Sequence, residues 1–260
     1  MALPAYLEQG KGDTAVFLLH GVGGGKEAWA HNQPIPASHG YRTIAWDMPG
    51  YGASQALASC SNTSLAEALK TLIEHTGAKR NVVLGHSMGG MLAQELAALH
   101  PQLVHGLVFY STSPAFGKAD GAWQQQFLQS RFAPLDQGLG MAGLAGKLVP
   151  TMFAPDAEPV RVAEAAALMA RVPADSYRAA LSAIVSFNRL AALGDIAVPT
   201  LCLAGELDQN APPAVVEKMA SRIPGAAYVC LPGVGHIANI EQPHLFNGAV
   251  LTFLKQHFPT

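Results

Sequence analysis

A chain of 260 residues can bury one full hydrophobic core and is short for two independent ones, so a single domain carrying an insertion is expected. A formal net charge of -2, with 13% charged residues and neither a run of like charges nor a basic stripe, gives nucleic acid and anionic membrane surfaces nothing to bind. The expected partner is a small molecule, met by a monomer or a homodimer. Residues 1–13 lack the cationic start and apolar core of a signal peptide, and no stretch approaches the ~18 apolar residues of a membrane span, so a soluble, cytoplasmic protein is expected. Cys60, Cys202 and Cys230 have no metal-ligand spacing and read as buried thiols; neither a metal nor a cofactor is expected.

Ahead of residue 15 there is room for one short strand, at about 5–9. Apolar runs of the buried-strand kind follow at 15–19, 43–46, 82–84, 107–110, 200–204 and 228–231. Helix-period segments accompany them at 65–75, 88–99, 213–222 and 243–257, and this alternation specifies an α/β fold, a mostly parallel sheet flanked by helices. Between 114 and 193 the alternation stops. Helical periodicity appears there at 123–132, 140–148, 159–171 and 176–190 with no convincing strand. Residues 114–192 are therefore expected to form a helical cap inserted between two strands, with 1–113 and 193–260 as the discontinuous core.

Gly85-His86-Ser87-Met88-Gly89 lies where the run 82–84 meets the helix-like stretch 88–99. A bare Gly-x-Ser-x-Gly arises by chance in roughly one chain in eight of this composition, so the strand-turn-helix setting is what makes it informative. Glycines at 85 and 89 let the backbone cross itself at a tight turn, which lifts the Ser87 hydroxyl clear of the sheet. The Met88 N–H then points at the same spot from a helix N-terminus.

A serine nucleophile needs a base within hydrogen-bond reach and a buried acid to orient that base. Asp208, in Gly205-Glu206-Leu207-Asp208, falls just past the carboxyl end of the run 200–204, where open parallel sheets place their ligands. Asp195 precedes that run, at the wrong end, and Glu206 is expected to be turned aside by the loop. His236, in Gly233-Val234-Gly235-His236, follows the last strand-like run, and its glycines let the loop fold back toward Ser87. His100, His244 and His257 sit near helix ends and His75 and His105 beside turns, settings that suit solvation or capping, while those of His31 and His39 are undecided.

An oxyanion needs donors aimed at it before reaction. His20-Gly21-Val22-Gly23-Gly24-Gly25 follows the run ending at Leu19, so the Val22 N–H is expected to join that of Met88, with Gly23 as second choice to Val22. These glycines do not make a phosphate loop. A Walker sequence needs Gly at 20 and Ser or Thr after the lysine, where His20 and Glu27 stand, and a dinucleotide fingerprint needs Gly where Lys26 stands.

The chain order Ser87, Asp208, His236 is that of the α/β-hydrolase triad, and the sequence resembles that superfamily over essentially its whole length. The C-terminal third resembles the 3-oxoadipate enol-lactonase and carboxylesterase branch, through Asp208-Gln209-Asn210-Ala211-Pro212-Pro213, Gly235-His236-Ile237-Ala238-Asn239-Ile240-Glu241-Gln242-Pro243 and Phe246-Asn247. Gly140-Met141-Ala142-Gly143-Leu144 in the cap is similar too. The chain departs from those lactonases at His20-Gly21-Val22-Gly23-Gly24, where they carry a Ser-Asn-Ser-Leu-Gly type segment. The resemblance implies hydrolysis of a small carboxylic ester or lactone through an acyl-enzyme.

Two other readings share the scaffold. A carbon–carbon bond hydrolase of a dienoate uses the same triad, although relatives of that kind are expected to carry an aromatic residue where Ile237 stands. A small-molecule receptor would bind or slowly consume its ligand. Perhydrolase or haloperoxidase activity is open as a side reaction that nothing in the sequence predicts, and dehalogenase chemistry would need an Asp in place of Ser87.

The cap offers Phe116, Trp123, Phe127, Phe132, Met141, Leu148, Met152, Phe153 and Met169 to roof the elbow, most of them expected to pack within the cap itself. Gly21, Trp123, Phe127, Arg131, Met152, Phe153 and Ile237 are the expected pocket wall. Arg131 is the cap's candidate partner for a substrate carboxylate, weighed against an ordinary solvated helix residue. Trp29 and Trp46 are expected to be structural.

Overall fold

The computed structural model describes residues 2–116 and 121–260. Seven strands form one sheet: β1 (Tyr6–Gln9), β2 (Thr14–Leu19), β3 (Arg42–Trp46), β4 (Arg80–His86), β5 (Gly106–Tyr110), β6 (Thr200–Gly205) and β7 (Ala227–Leu231), in the spatial order β1-β3-β2-β4-β5-β6-β7. β1 pairs antiparallel with β3, and every other pairing is parallel. Ten α-helices among the described residues accompany the sheet: α1 (Pro34–Ser38), α2 (Asn62–Thr76), α3 (Met88–Leu99), α4 (Ala122–Asp136), α5 (Gly140–Leu148), α6 (Pro159–Ala170), α7 (Ala174–Ile184), α8 (Pro213–Ala220), α9 (Ala238–Glu241) and α10 (Pro243–His257).

The two faces of the sheet follow from strand alternation. Ala15, Phe17 and Leu19 of β2 point to one face, where they pack with Leu65, Leu69 and Leu72 of α2 and Leu92 and Leu96 of α3. Val16 and Leu18 point to the other, against Trp29 and, from α10, Phe246, Val250 and Phe253. All six residues of β2 are thus buried, as in a parallel strand covered on both sides. β7 is an edge strand, and burial there is uneven: Leu231 is buried and Cys230 is exposed. The expectation of three buried thiols is corrected accordingly, since Cys202 on the inner strand β6 is buried and Cys60 is intermediate.

The segment between β5 and β6 carries α4 to α7 and a 3-10 turn at Val149–Met152; its residues 117–120 lie outside the described residues. The helix expected at 176–190 stops at Ile184 because the chain beyond it pairs with the chain that enters the segment. The Phe116 N–H donates to the Phe187 carbonyl at 3.0 Å and the Arg189 N–H to that of Pro114 at 2.8 Å. Arg189 also grips Glu95 of α3 through two bonds of 2.7 Å, so the exit of the segment is tied to the core. Met141, Leu144 and Met169 join the same apolar cluster as Leu19 and Met88, so the hydrophobic interior is continuous across this junction. No helix among the described residues is long and apolar enough to cross a membrane.

Candidate active site

Ser87 occupies the tight turn between β4 and α3 with φ 51° and ψ -116°, a left-handed conformation that costs energy in a residue bearing a side chain. Gly85 and Gly89 make the turn sterically feasible. A Cβ on Gly85 would stand 2.2 Å from the Gly89 carbonyl oxygen, and one on Gly89 2.2 Å from that of Leu19. The strained residue is held from both sides: its N–H donates to the Tyr110 carbonyl at 2.9 Å, and its own carbonyl accepts the Thr112 hydroxyl at 2.7 Å. Ser111, between those partners, also has a positive φ, 46°, and its buried hydroxyl has no hydrogen-bond partner among the described residues. The first turn of α3 leaves the Met88 N–H without an acceptor inside the helix.

Asp208 lies beyond the end of β6 and is buried. Its Oδ2 accepts the His236 Nδ1–H at 2.8 Å, while Oδ1 accepts the N–H groups of Asn210 at 2.8 Å and Ala211 at 3.0 Å. Burial alone would raise this carboxyl; the charge and hydrogen bond of His236 and the two backbone donors outweigh it and hold the group below the usual carboxylate value. Glu206 is turned aside and accepts the Gly233 N–H at 2.8 Å.

His236 is fixed through its main chain as well as its ring. Its carbonyl accepts His86 Nε2–H at 2.9 Å and the Tyr110 hydroxyl at 3.0 Å, and the His86 ring lies 4.6 Å from Tyr110 and 4.8 Å from His236, centroid to centroid. Burial and the neighbouring His236 charge bring His86 down to about 3, which leaves it neutral with its proton committed to that carbonyl. Sequence reasoning missed His86; a histidine beside the nucleophile inside the elbow was the available signal.

The loop after β2 is tied down by side chains that the sequence did not mark. His20 donates from Nδ1 to the Gly21 carbonyl at 2.8 Å and accepts the Met48 N–H on Nε2 at 3.0 Å. Burial lowers its pKa, in keeping with this neutral tautomer. Tyr51 donates its hydroxyl to the Val22 carbonyl at 3.0 Å, and a turn closed by Gly24 N–H on the Gly21 carbonyl leaves the Val22 N–H out of its ring of bonds.

These parts meet in a cavity of about 510 Å³. Ser87, His236, Gly21, Val22, Gly23, Trp123, Phe127, Arg131, Met152 and Ile237 all line it. No hydrogen bond joins Ser87 Oγ to His236 among the described residues; free sites commonly leave such bonds long until substrate binds. Met88 contributes no side chain to the wall, because its thioether is buried in the core. Phe153 is also absent from the wall: it is buried in the main apolar cluster.

Of the nine candidates in the segment between β5 and β6, Phe116, Trp123, Phe127, Met152 and Met169 face the cavity, while Phe132, Met141, Leu148 and Phe153 pack inside. More of them face the cavity than expected. Trp123 is 46% exposed and stacks on Phe127 at 5.6 Å, and Arg131 lies over the other ring with its guanidinium 5.2 Å from the Phe127 centroid. Trp46 is core, whereas Trp29, though buried, also touches the cavity. His31 pairs with Glu164 of α6 at 2.8 Å, and His39 bonds the Ile35 carbonyl at the surface. No cluster of three or more potential metal ligands occurs among the described residues.

A family model described as alpha/beta hydrolase fold matches residues 14–243. The chain is 30% identical to "Putative non-heme bromoperoxidase BpoC" of Mycobacterium tuberculosis, with 96% of each chain covered. It is 26% identical to a pimeloyl-[acyl-carrier protein] methyl ester esterase of Yersinia enterocolitica, over 95% of each. Among solved structures it superposes on the enol-lactonase from Burkholderia xenovorans LB400 with a TM-score of 0.85 and 26% identity, covering 96% of each chain.

Proposed function

The chain belongs to the alpha/beta hydrolase fold family, and from that membership we propose that it is a serine hydrolase of small carboxylic esters or lactones, acting through Ser87, His236 and Asp208. One observation carries the reading: a strained Ser87 stands on the wall of the cavity that His236 also lines, while the His236 ring is held 2.8 Å from a buried carboxylate. An esterase and an enol-lactonase among the relatives support it.

In this mechanism His236 Nε2 takes the Ser87 proton as Oγ attacks the substrate carbonyl carbon, and Asp208 stabilises the imidazolium. Negative charge gathers on the carbonyl oxygen and is met by the N–H groups of Val22 and Met88. The tetrahedral species collapses, the alkoxide leaves with the proton from His236, and the acyl group stays on Ser87. Water, deprotonated by His236, then attacks the acyl carbon, releasing the acid and restoring the serine. The segment 114–192 acts as the cap, and its aromatic and methionine side chains select the body of the substrate.

The test is hydrolysis of short-chain p-nitrophenyl esters at about pH 8 by the native protein and by Ser87→Ala. Repeated turnover at about 1 per second or more, abolished in the variant, is expected of the enzyme. Release that does not need Ser87, or a single burst without turnover, overturns the reading, and the burst would point to a receptor. Dienoate cleavage and peroxide-dependent bromination belong in the same substrate panel, the latter because of the name carried by the relative at 30% identity.

A further inference from the structure

His236 is gripped from a third direction, by the cap. Its N–H donates to the Met152 carbonyl at 2.7 Å, so the 3-10 turn Val149–Met152 lies directly on the loop that carries the imidazole. The next peptide along that loop, the Gly235 N–H, donates to Glu241 Oε2 at 2.9 Å, and the other carboxylate oxygen, Oε1, accepts the Ala154 N–H from the cap at 2.9 Å. One carboxylate therefore bridges a cap peptide and the peptide immediately before His236. The contact is close: a Cβ on Gly235 would stand 2.4 Å from the Met152 carbonyl oxygen and 2.9 Å from Phe153 Cα. Glu241 is 5% exposed, and burial raises its carboxyl, a cost that its two N–H donors partly offset.

A buried carboxylate with no cationic partner among the described residues is an expensive way to hold two peptides unless their relative position matters. We propose that Glu241 is a positioning residue that locks the Met152–Ala154 turn of the cap and the Gly235–His236 segment into one body, so that seating of the cap and alignment of the His236 imidazole are a single event. The proposal rests on the reading of His236 as the base. It gives the cap a part in the chemical step: a cap that lifts takes with it the acceptor of the His236 N–H and half of the partners of Glu241.

Glu241→Gln breaks the bridge at constant shape, because an amide offers one acceptor oxygen to two inward-facing N–H groups and sets an NH2 against the other. Gly235→Ala breaks it from the opposite side by pushing the Met152 carbonyl away. At a temperature where both variants are fully folded, each is expected to lower kcat by about 10- to 100-fold, the scale of a misplaced reacting group. The two losses should fall well short of additive in the double variant, since both act on one contact.

The independent readout is the low-field proton resonance of the His236–Asp208 hydrogen bond in the free protein. It should broaden or shift in Glu241→Gln and persist in Ser87→Ala. A native kcat in Glu241→Gln, a rise in KM alone, or an unchanged resonance would overturn the coupling. Hydrolysis surviving in Ser87→Ala would instead overturn the serine mechanism, and the resonance would still report on the clasp.

Discussion

The two halves of the cavity are built by different means. The core half is made of strand ends and the turns that follow them, and its residues are fixed by directional hydrogen bonds: Ser87 through its main chain to Tyr110 and Thr112, His236 through its ring to Asp208 and through its carbonyl to His86 and Tyr110, and the His20 ring between Gly21 and Met48. The other half, from the segment between β5 and β6 that is the proposed cap, presents the apolar side chains of Phe116, Phe127, Met152, Leu168 and Met169, which belong to or pack against the main apolar cluster. Directional bonds fix a reacting atom to a fraction of an ångström, whereas apolar contacts tolerate exchange of one shape for another. In the proposed enzyme, chemistry and selection would therefore change separately except where the two halves are tied together, as at Glu241.

Replacing parts of the core half should produce the largest losses. Ser87→Ala is expected to lower kcat for an ester by about 10⁶-fold and Asp208→Ala by about 10⁴-fold, measured as initial rates of p-nitrophenol release. Equal, modest losses at both positions would erase the distinction between the halves. In the cap, Trp123→Ala or Phe127→Ala should leave kcat for a two-carbon acyl ester nearly unchanged and raise KM for a longer acyl chain by about tenfold, as loss of part of an aromatic contact implies. A hundredfold drop in kcat for both esters would show that the cap aromatics align the reacting groups rather than select among substrates.

Thr112→Val sharpens the comparison at smaller scale. It deletes the 2.7 Å bond to the Ser87 carbonyl while keeping the shape against Gly90, where an added Cβ would already lie 2.7 Å from the threonine Cβ. A melting temperature about 2–4 °C lower, restored by Thr112→Ser, is the expected result for roughly 1 kcal/mol in a chain of this size. Met169→Leu, a similar-volume exchange in the cap, should do less.

The same division explains what could be read from the sequence. The inner strands were legible because parallel strands buried on both faces are continuous apolar runs bounded by turns, and β2, β4 and β5 differ from expectation only by a residue or two at their ends. Ser87, Asp208 and His236 were legible as positions after strands. Their supports were not: the His86 and Tyr110 bonds to the His236 carbonyl span 150 and 126 residues, and nothing local announces them. Glu241 was visible only as part of a Glu-Gln-Pro segment, although a carboxylate next to Ile240 and close to Ala238 is an unusual candidate for burial. Helices α1 and α9 have five and four residues, too short for periodicity to register. In the segment between β5 and β6, period alone could not divide roof from filling, since both are apolar side chains, and Phe153, which follows the 3-10 turn, was placed on the wall although it is buried in the main apolar cluster.

The smallest expected effect separates the halves by electrostatics. In the folded protein Asp208 titrates below its ordinary value, and in the unfolded chain it returns to about 3.9. Between those two values the unfolded state binds more protons, so the stabilisation is complete above the unfolded value and is lost as pH falls through the folded one. Asp208→Asn has no such group to titrate. The native protein and this variant should therefore differ in urea midpoint near neutral pH, and the gap should narrow progressively once the pH drops below about 4, whereas the gap between native protein and Phe127→Ala should stay constant over the same range because apolar contact carries no proton linkage. A gap for Asp208→Asn that does not close in acid would mean that its carboxylate contributes through packing, as the cap residues do, and not through its charge.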